Sequence, residues 1–444
     1  MRILFVVQGL PPQSTGGTEL YTYYLARELH RRHEVYIFCR RADPSQEEYA
    51  VQSYLLDGLP VTSVNNSFRK VFDFSMTYKN DIIAGIFARF LEQVQPDIVH
   101  IQHLIGLSTS LISICSDKNI PVLLTLHDYW FLCQRGQLLK PDLTICSGPR
   151  DWKCAMCLWS QIKAFLTQQS TAVKRRTYLG KIPMALRRWC VQLNRWKAIE
   201  VMHARTRHMR EMLESVDMIF TPSRFHRDQC IKLGGRFGIS PDRIRFLSNG
   251  MNVDLFANFR KKPSSTLRFG FIGTIIPSKG LHVLIKAFNR IQSNRATLRI
   301  HGIALPYDGY NNYMQDLRAM VVNPNIHFMG GYNNAQIAQI LSEIDVLIVP
   351  SIWYENAPLT IHEAFIAKIP VIASNIGGMA ELVHHMENGL LFEVGNSDDL
   401  YVKIQTFIEN PSLVEALSGN IKPVKTIEEN AKELEAIYNE LIAR

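Results

Sequence analysis

At 444 residues, with 47% hydrophobic and 20% charged residues, the chain is long enough for two domains with full cores, and its composition excludes a disordered, collagen-like or coiled-coil protein. The formal net charge of +9 is local: residues 151–215 hold 13 Lys and Arg against 4 Asp and Glu, so the remainder is neutral. No run approaches the roughly 18 apolar residues of a spanning helix, and the apolar opening is too short for a signal peptide, so the expected location is cytoplasmic.

In chain order, β-rich apolar runs fall at 3–7, 35–39, 98–101 and 122–126, separated by amphipathic stretches of helical length. A basic, cysteine-containing insert at about 130–215 interrupts this alternation, which resumes at 218–220 and 244–247. The stretch 256–265 is polar and basic and contains Pro263, the composition expected of an interdomain linker. Further runs at 269–272, 298–300, 326–328, 346–349 and 371–373 are each followed by a helical pattern, and residues 428–444 read as a terminal helix that packs on one domain. Strand–helix alternation of this kind gives parallel sheets covered on both faces. The expected fold is therefore α/β, with two facing Rossmann-like domains: 1–255, with its insert, and 256–427, followed by the helix 428–444. Ligands bind outside the carboxyl ends of such strands, which places the active site in the cleft between the domains.

Several segments carry chemistry at those strand ends. Gly16 and Gly17 follow the first strand and open a helix, where free backbone N–H groups attract an anion; alone, this is also an ordinary tight turn. After the strand ending at Pro350 comes a loop with Glu355, Asn356, Ala357, Pro358 and Leu359, then Glu363 about two turns down the next helix. Pro358 suits a first helical turn, so the amides around Asn356 to Leu359 and the positive end of the helix dipole offer a seat for a diphosphate. His127, with Asp128 beside it, ends a first-half strand; taken singly it reads as a buried structural histidine.

The arrangement Glu355, Asn356, Pro358, Glu363, followed by Gly377-Gly378-Met379-Ala380-Glu381 and Asn388-Gly389, resembles the nucleotide-sugar half of family 4 glycosyltransferases of the GT-B fold. Gly16-Gly17, Thr125-Leu126-His127-Asp128, Thr221-Pro222-Ser223 and Ser248-Asn249-Gly250 match the first half in order, so the resemblance covers nearly the whole chain. It implies a retaining transferase that moves a sugar from a nucleoside-diphosphate sugar. In that pattern Glu355 meets the donor sugar hydroxyls, Glu363 the ribose, His127 the reacting sugar, and Lys279 the diphosphate beside Gly273. One position departs from the pattern: Thr274, not a basic residue, follows Gly273, which leaves Lys279 as the main side-chain cation, with Arg224 as a candidate helper. Backbone groups around Gly330, Gly331 and Tyr332 are expected at the base.

The chain has no Asp-x-Asp pair to hold a divalent ion, so a metal-independent reaction is expected, in which preorganised N–H dipoles and Lys279 stabilise charge developing on the diphosphate. Cys133, Cys146, Cys154 and Cys157 lie within 25 residues and are read as a structural zinc site, against the alternative of free thiols. The segment 160–213 mixes cations with Trp189, Trp196 and leucines, the composition of an interfacial helix. It predicts contact with an anionic membrane at its inner face and a lipid-linked or glycan acceptor, against a solvated helix pair; nucleic acid is not expected. A nucleotide-sugar epimerase of the same architecture and a non-catalytic nucleotide-sugar or membrane binder are the competing readings.

Overall fold

A computed structural model describes residues 1–174, 184–292 and 294–443, with side chains 167–194 excepted. Of the basic segment 160–213 expected to meet a membrane, Trp189 and the cations Lys174, Arg175, Arg176, Arg187 and Arg188 lie outside the described side chains.

The first sheet has eight strands: β1 (Arg2–Val7), β2 (Glu34–Arg41), β3 (Val51–Leu56), β4 (Leu59–Asn65), β5 (Ile98–Ile101), β6 (Val122–Thr125), β7 (Met218–Thr221) and β8 (Ile244–Phe246), ordered β3-β4-β2-β1-β5-β6-β7-β8. The second has six: β9 (Leu267–Ile272), β10 (Ala296–His301), β11 (Ile326–Gly330), β12 (Val346–Val349), β13 (Val371–Ser374) and β14 (Gly389–Phe392), ordered β11-β10-β9-β12-β13-β14. Every pairing is parallel except β3 with β4. Helices cover both faces of each sheet, so the strands are buried on both sides; Ile3, Leu4, Phe5, Val6 and Val7 are all fully buried. This is the expected α/β architecture.

Three strands have no counterpart in the sequence reading. β3 and β4 form an antiparallel edge hairpin turned by Asp57 and Gly58, both at positive φ, with Leu56 paired to Leu59. The Asp-Gly pair is the sequence signal for that turn, but β3 is an edge strand that is mostly exposed and lacks a buried run. β14 is four residues long, and Gly389 lets it approach β13: a Cβ there would lie 2.1 Å from the Val371 carbonyl oxygen.

The 256–265 stretch is less of a free linker than its composition suggests. Phe256 is buried, and it and Phe259 pack in the core of the second half beside Leu347 and Ile361. The C-terminal helix Ile427–Ile442 crosses back to the first sheet, where Leu434, Tyr438 and Leu441 join Tyr21, Leu25 and Leu29. Its start runs against the first crossing: the Ile427 N–H donates to the Met251 carbonyl at 2.8 Å and the Met251 N–H to that of Lys425 at 2.9 Å. The two passages of the chain between the halves thus lie side by side.

Candidate active site

The carboxyl ends of the two sheets face one another. On the second-half side, β9 runs into Gly273 at φ +152°, a conformation open to glycine, and then into the turn Pro277–Lys279. Lys279 Nζ reaches across to Glu355 Oε1 at 2.6 Å, and that oxygen also accepts from the Ser351 hydroxyl at 2.8 Å and the Trp353 indole N–H at 2.9 Å. Burying a carboxylate this deeply, with Glu355 only 5% exposed, requires such donors. The Glu355 backbone is gripped from behind. Its carbonyl accepts the Gly378 N–H at 2.6 Å, and a Cβ on Gly378 would stand 1.6 Å from the Asn356 carbonyl oxygen, so only glycine fits.

Pro358 then caps the helix Leu359–Ile366. Asn356 Nδ2 donates to the His127 carbonyl at 2.6 Å, across the cleft, while its buried Oδ1 has no hydrogen-bond partner among the described residues. Glu363, one helical stretch further on, is 6% exposed and accepts from Asn334 Nδ2 at 3.2 Å. Burial pushes its carboxyl up to about 7, against the pull of Asn334. A narrow cavity beside it is lined from both halves, by Tyr21, Tyr24 and Asn252 opposite Asn334 and Leu359.

On the first-half side, Gly16 caps the helix Gly17–His30 and packs on the Glu19 carboxylate, which accepts from Gln8 at 3.0 Å and Ser14 at 2.7 Å. A Cβ on Gly17 would touch Leu359 at 3.5 Å, so this helix start faces the start of Leu359–Ile366. His127 Nε2 lies 2.7 Å from Gln102 Oε1. Its ring rests 5.5 Å from that of Tyr21, and burial, reinforced by the neighbouring histidines, lowers its titration to about 3. At neutral pH the imidazole is therefore uncharged. Asp128 turns the other way, toward His103 Nε2 at 3.2 Å and the Trp130 N–H at 2.7 Å.

Further contacts hold the halves together. Glu381 accepts the backbone N–H groups of Arg224 at 3.0 Å and Phe225 at 2.8 Å, capping a first-half helix from the second half. Arg135 pairs with Asp308 at 3.2 Å, and the Tyr307 hydroxyl donates to Gln137 at 2.8 Å.

Contacts join several of the positions expected from the sequence: Lys279 to Glu355, Asn356 to the His127 carbonyl and Gly17 to Leu359, with Glu363 on the cavity shared by both halves, while Gly16 stands before Gly17, Gly273 at the end of β9, and Ala357 and Pro358 between Asn356 and Leu359. It changes other assignments. Lys279 is ion-paired with Glu355 and is not a free cation. The guanidinium of Arg224 lies over the Phe246 ring at 4.6 Å, which engages the proposed helper elsewhere. The zinc site is not supported: among the described residues no group of three or more His, Cys, Asp or Glu is arranged to hold a metal, and Cys133, Cys146, Cys154 and Cys157 are free. Residues the sequence reading missed are Gln102, Asn334, Ser351 and Trp353. Of these, only Ser351 and Trp353 carried a sequence signal, their place immediately before Glu355.

Comparison with known proteins identifies the family and the fold. The model of Glycosyltransferase Family 4 matches residues 15–255 and that of Glycosyl transferases group 1 matches residues 254–424. An uncharacterized glycosyltransferase of Methanocaldococcus jannaschii is 30% identical over 185 residues, 41% of this chain and 48% of that protein. The chain spans about half to three fifths of the length of the curated relatives it matches. Anabaena HepE, in a crystal structure with UDP and glucose, superposes with a TM-score of 0.65 at 18% identity, covering 98% of this chain and 99% of that one. Sucrose-phosphate synthase of Thermosynechococcus elongatus gives 0.67 at 16% identity, covering 100% of both chains. Two facing Rossmann-like domains are the GT-B fold, and with more than half of its length matched by that family's model, the chain belongs to glycosyltransferase family 4.

Proposed function

We propose that the protein is a retaining hexosyltransferase that moves a sugar from a nucleoside-diphosphate sugar to a lipid-linked or polysaccharide acceptor without a catalytic metal. The observation that carries this reading is the meeting, at one cleft, of the Lys279–Glu355 pair, the helix start at Leu359 with the unpartnered Asn356 Oδ1, and the buried Glu363. Lys279 and the N–H groups before Leu359 receive the diphosphate, Glu355 the sugar hydroxyls and Glu363 the ribose. Residues 256–427 hold the donor, residues 1–255 present the acceptor, and residues 428–444 tie the two together.

In the reaction the bond from the sugar's C1 to the phosphate oxygen breaks and the bond from C1 to the acceptor oxygen forms on the same face. The acceptor's proton leaves with the nucleoside diphosphate. Charge grows on the departing diphosphate, where the oriented amides and Lys279, drawn across from Glu355, stabilise it. His127, neutral and tethered to Gln102, orients the sugar and does not act as a base. The binding of UDP and glucose by HepE supports the donor class.

Incubation with a panel of nucleotide sugars tests the reading. Release of nucleotide that depends on an added acceptor, with the anomeric configuration retained, is the expected result. A changed sugar without release would make the protein an epimerase, and neither would leave a binder.

The basic segment 160–213 is proposed to bring the enzyme to the inner face of an anionic membrane. Trp196 is 64% exposed, with Arg195 and Lys197 exposed beside it, and no helix among the described residues is long and apolar enough to cross a bilayer. Cosedimentation with anionic but not neutral vesicles, weakening as salt rises and reduced in Arg195→Gln/Lys197→Gln, is the expected outcome. Indifference to anionic vesicles at low salt removes the membrane from the proposal.

A further inference from the structure

The three donors on Glu355 Oε1 differ in how firmly they are fixed. Lys279 approaches on a flexible four-carbon stem, and its side chain is 28% exposed to the cleft. It is also the cation assigned to the diphosphate, and one ammonium shared between two anions is weakened toward each. Ser351 and Trp353 have no such freedom. Ser351 is 1% exposed and follows the end of β12. Trp353 is 7% exposed and packs in a cluster with Tyr129, Leu138 and Leu139, all from the first half of the chain. Its ring lies 5.8 Å from Lys279 Nζ, so indole and ammonium share one side of the carboxylate.

When Lys279 swings toward a bound diphosphate, Glu355 loses its counter-cation at the moment it must stay aimed. A buried carboxylate left without donors would turn away or take up a proton. We propose that Ser351 and Trp353 are positioning residues that keep hold of Oε1 as Lys279 is drawn to the donor, leaving Oε2 as the oxygen presented to the sugar. Trp353 makes this seat depend on the other half of the molecule, because its indole is wedged against Tyr129, Leu138 and Leu139. Closure of the halves and alignment of Glu355 are then one event. The inference rests on the reading of the cleft as a nucleotide-sugar site.

The test uses the full-length wild-type protein with Ser351→Ala and Trp353→Phe. UDP, GDP and ADP are first screened by thermal shift. The diphosphate that stabilises the wild type is then compared by calorimetry with its glucose and mannose esters. Both variants should bind the bare diphosphate within about twofold of wild type, whereas the added affinity contributed by the sugar should fall about fivefold. Turnover should fall about tenfold or more with a smaller change in KM. The double variant should lose less than the product of the single losses, because both donors serve one oxygen. Equal weakening of diphosphate and sugar ester would make Trp353 a structural prop and overturn the inference, as would an unchanged sugar contribution in Ser351→Ala. If Trp353→Phe fails to fold, Ser351→Ala decides alone, since loss of one hydroxyl leaves the packing intact. A wild type that binds none of the diphosphates overturns the site reading and this inference together; wild-type binding with unaffected variants overturns this inference alone.

Discussion

Glu355 and Glu363 stand eight residues apart, are 5% and 6% exposed, and occupy opposite electrostatic situations. Glu355 is met by an ammonium, a hydroxyl and an indole N–H on a single oxygen. Glu363 has one neutral amide, from Asn334, and burial raises its carboxyl to about 7. Burial depth does not distinguish them; the partners do. A charge removed from water must be repaid by opposite charge or hydrogen bonds, and only the first seat provides both. The second seat has room for further donors, which in the proposed reading are the ribose hydroxyls.

That contrast is broken most strongly at the first seat. Glu355→Gln should lower turnover by about 100-fold or more while donor affinity changes much less, since sugar contacts strengthen as the ring flattens. Parallel losses in kcat and donor affinity, measured by steady-state kinetics and calorimetry, would remove the distinction between the two carboxylates. Gly378→Ala attacks the same seat from behind. With its Cβ 1.6 Å from a backbone oxygen, the loop under Glu355 must move, at about 2–4 kcal/mol in chemical denaturation.

At the second seat, the effect depends on pH. An ordinary carboxyl titrates near 4.5, and Glu363 in the folded chain near 7, so between those values the native state holds the extra proton. Stability from this group therefore falls as pH rises from 4.5 to 7 and levels off above. Glu363→Gln should flatten that slope, matching wild type at pH 4 and exceeding it at pH 8 by at most on the order of 3 kcal/mol. The same variant should weaken donor binding about tenfold. With Glu363 at the ribose, as proposed, hydroxyls that donate to the ionised carboxylate make donor affinity climb with pH toward 7. A flat affinity profile over pH 5–8 would count against Glu363 as the ribose group. Asn334→Ala, which removes the amide on Glu363, should have the smallest effect, about a threefold loss of donor affinity, the worth of one neutral hydrogen bond.

Both glutamates were legible in the sequence as a pair at fixed spacing after a strand, and so was the helix that opens at Leu359 behind Pro358. Their difference was not. Lys279 lies 76 residues before Glu355 and Asn334 lies 29 before Glu363, and no local pattern marks either as a partner. His127 shows the same limit: its position at a strand end was readable, but the Gln102 tether and the burial that keep it neutral come from the neighbouring strand end. The cysteines show the converse, because closeness in sequence suggested a zinc site that their placement does not form.

The sequence by itself determined the two parallel sheets, because strands buried on both faces must be continuous apolar runs, and it determined the site's glycines and helix start, because backbone conformation and amide exposure are local properties. Beyond the Asp57-Gly58 turn signal, tertiary structure decided the edge hairpin Val51–Asn65, whose exposed strand leaves no apolar run, and the return of the C-terminal helix to the first sheet. It also decided the charge state of each buried group. Desolvation and partner geometry depend on what the fold brings within about 3 Å, and residues tens of positions apart meet there without leaving a mark in the chain's periodicity.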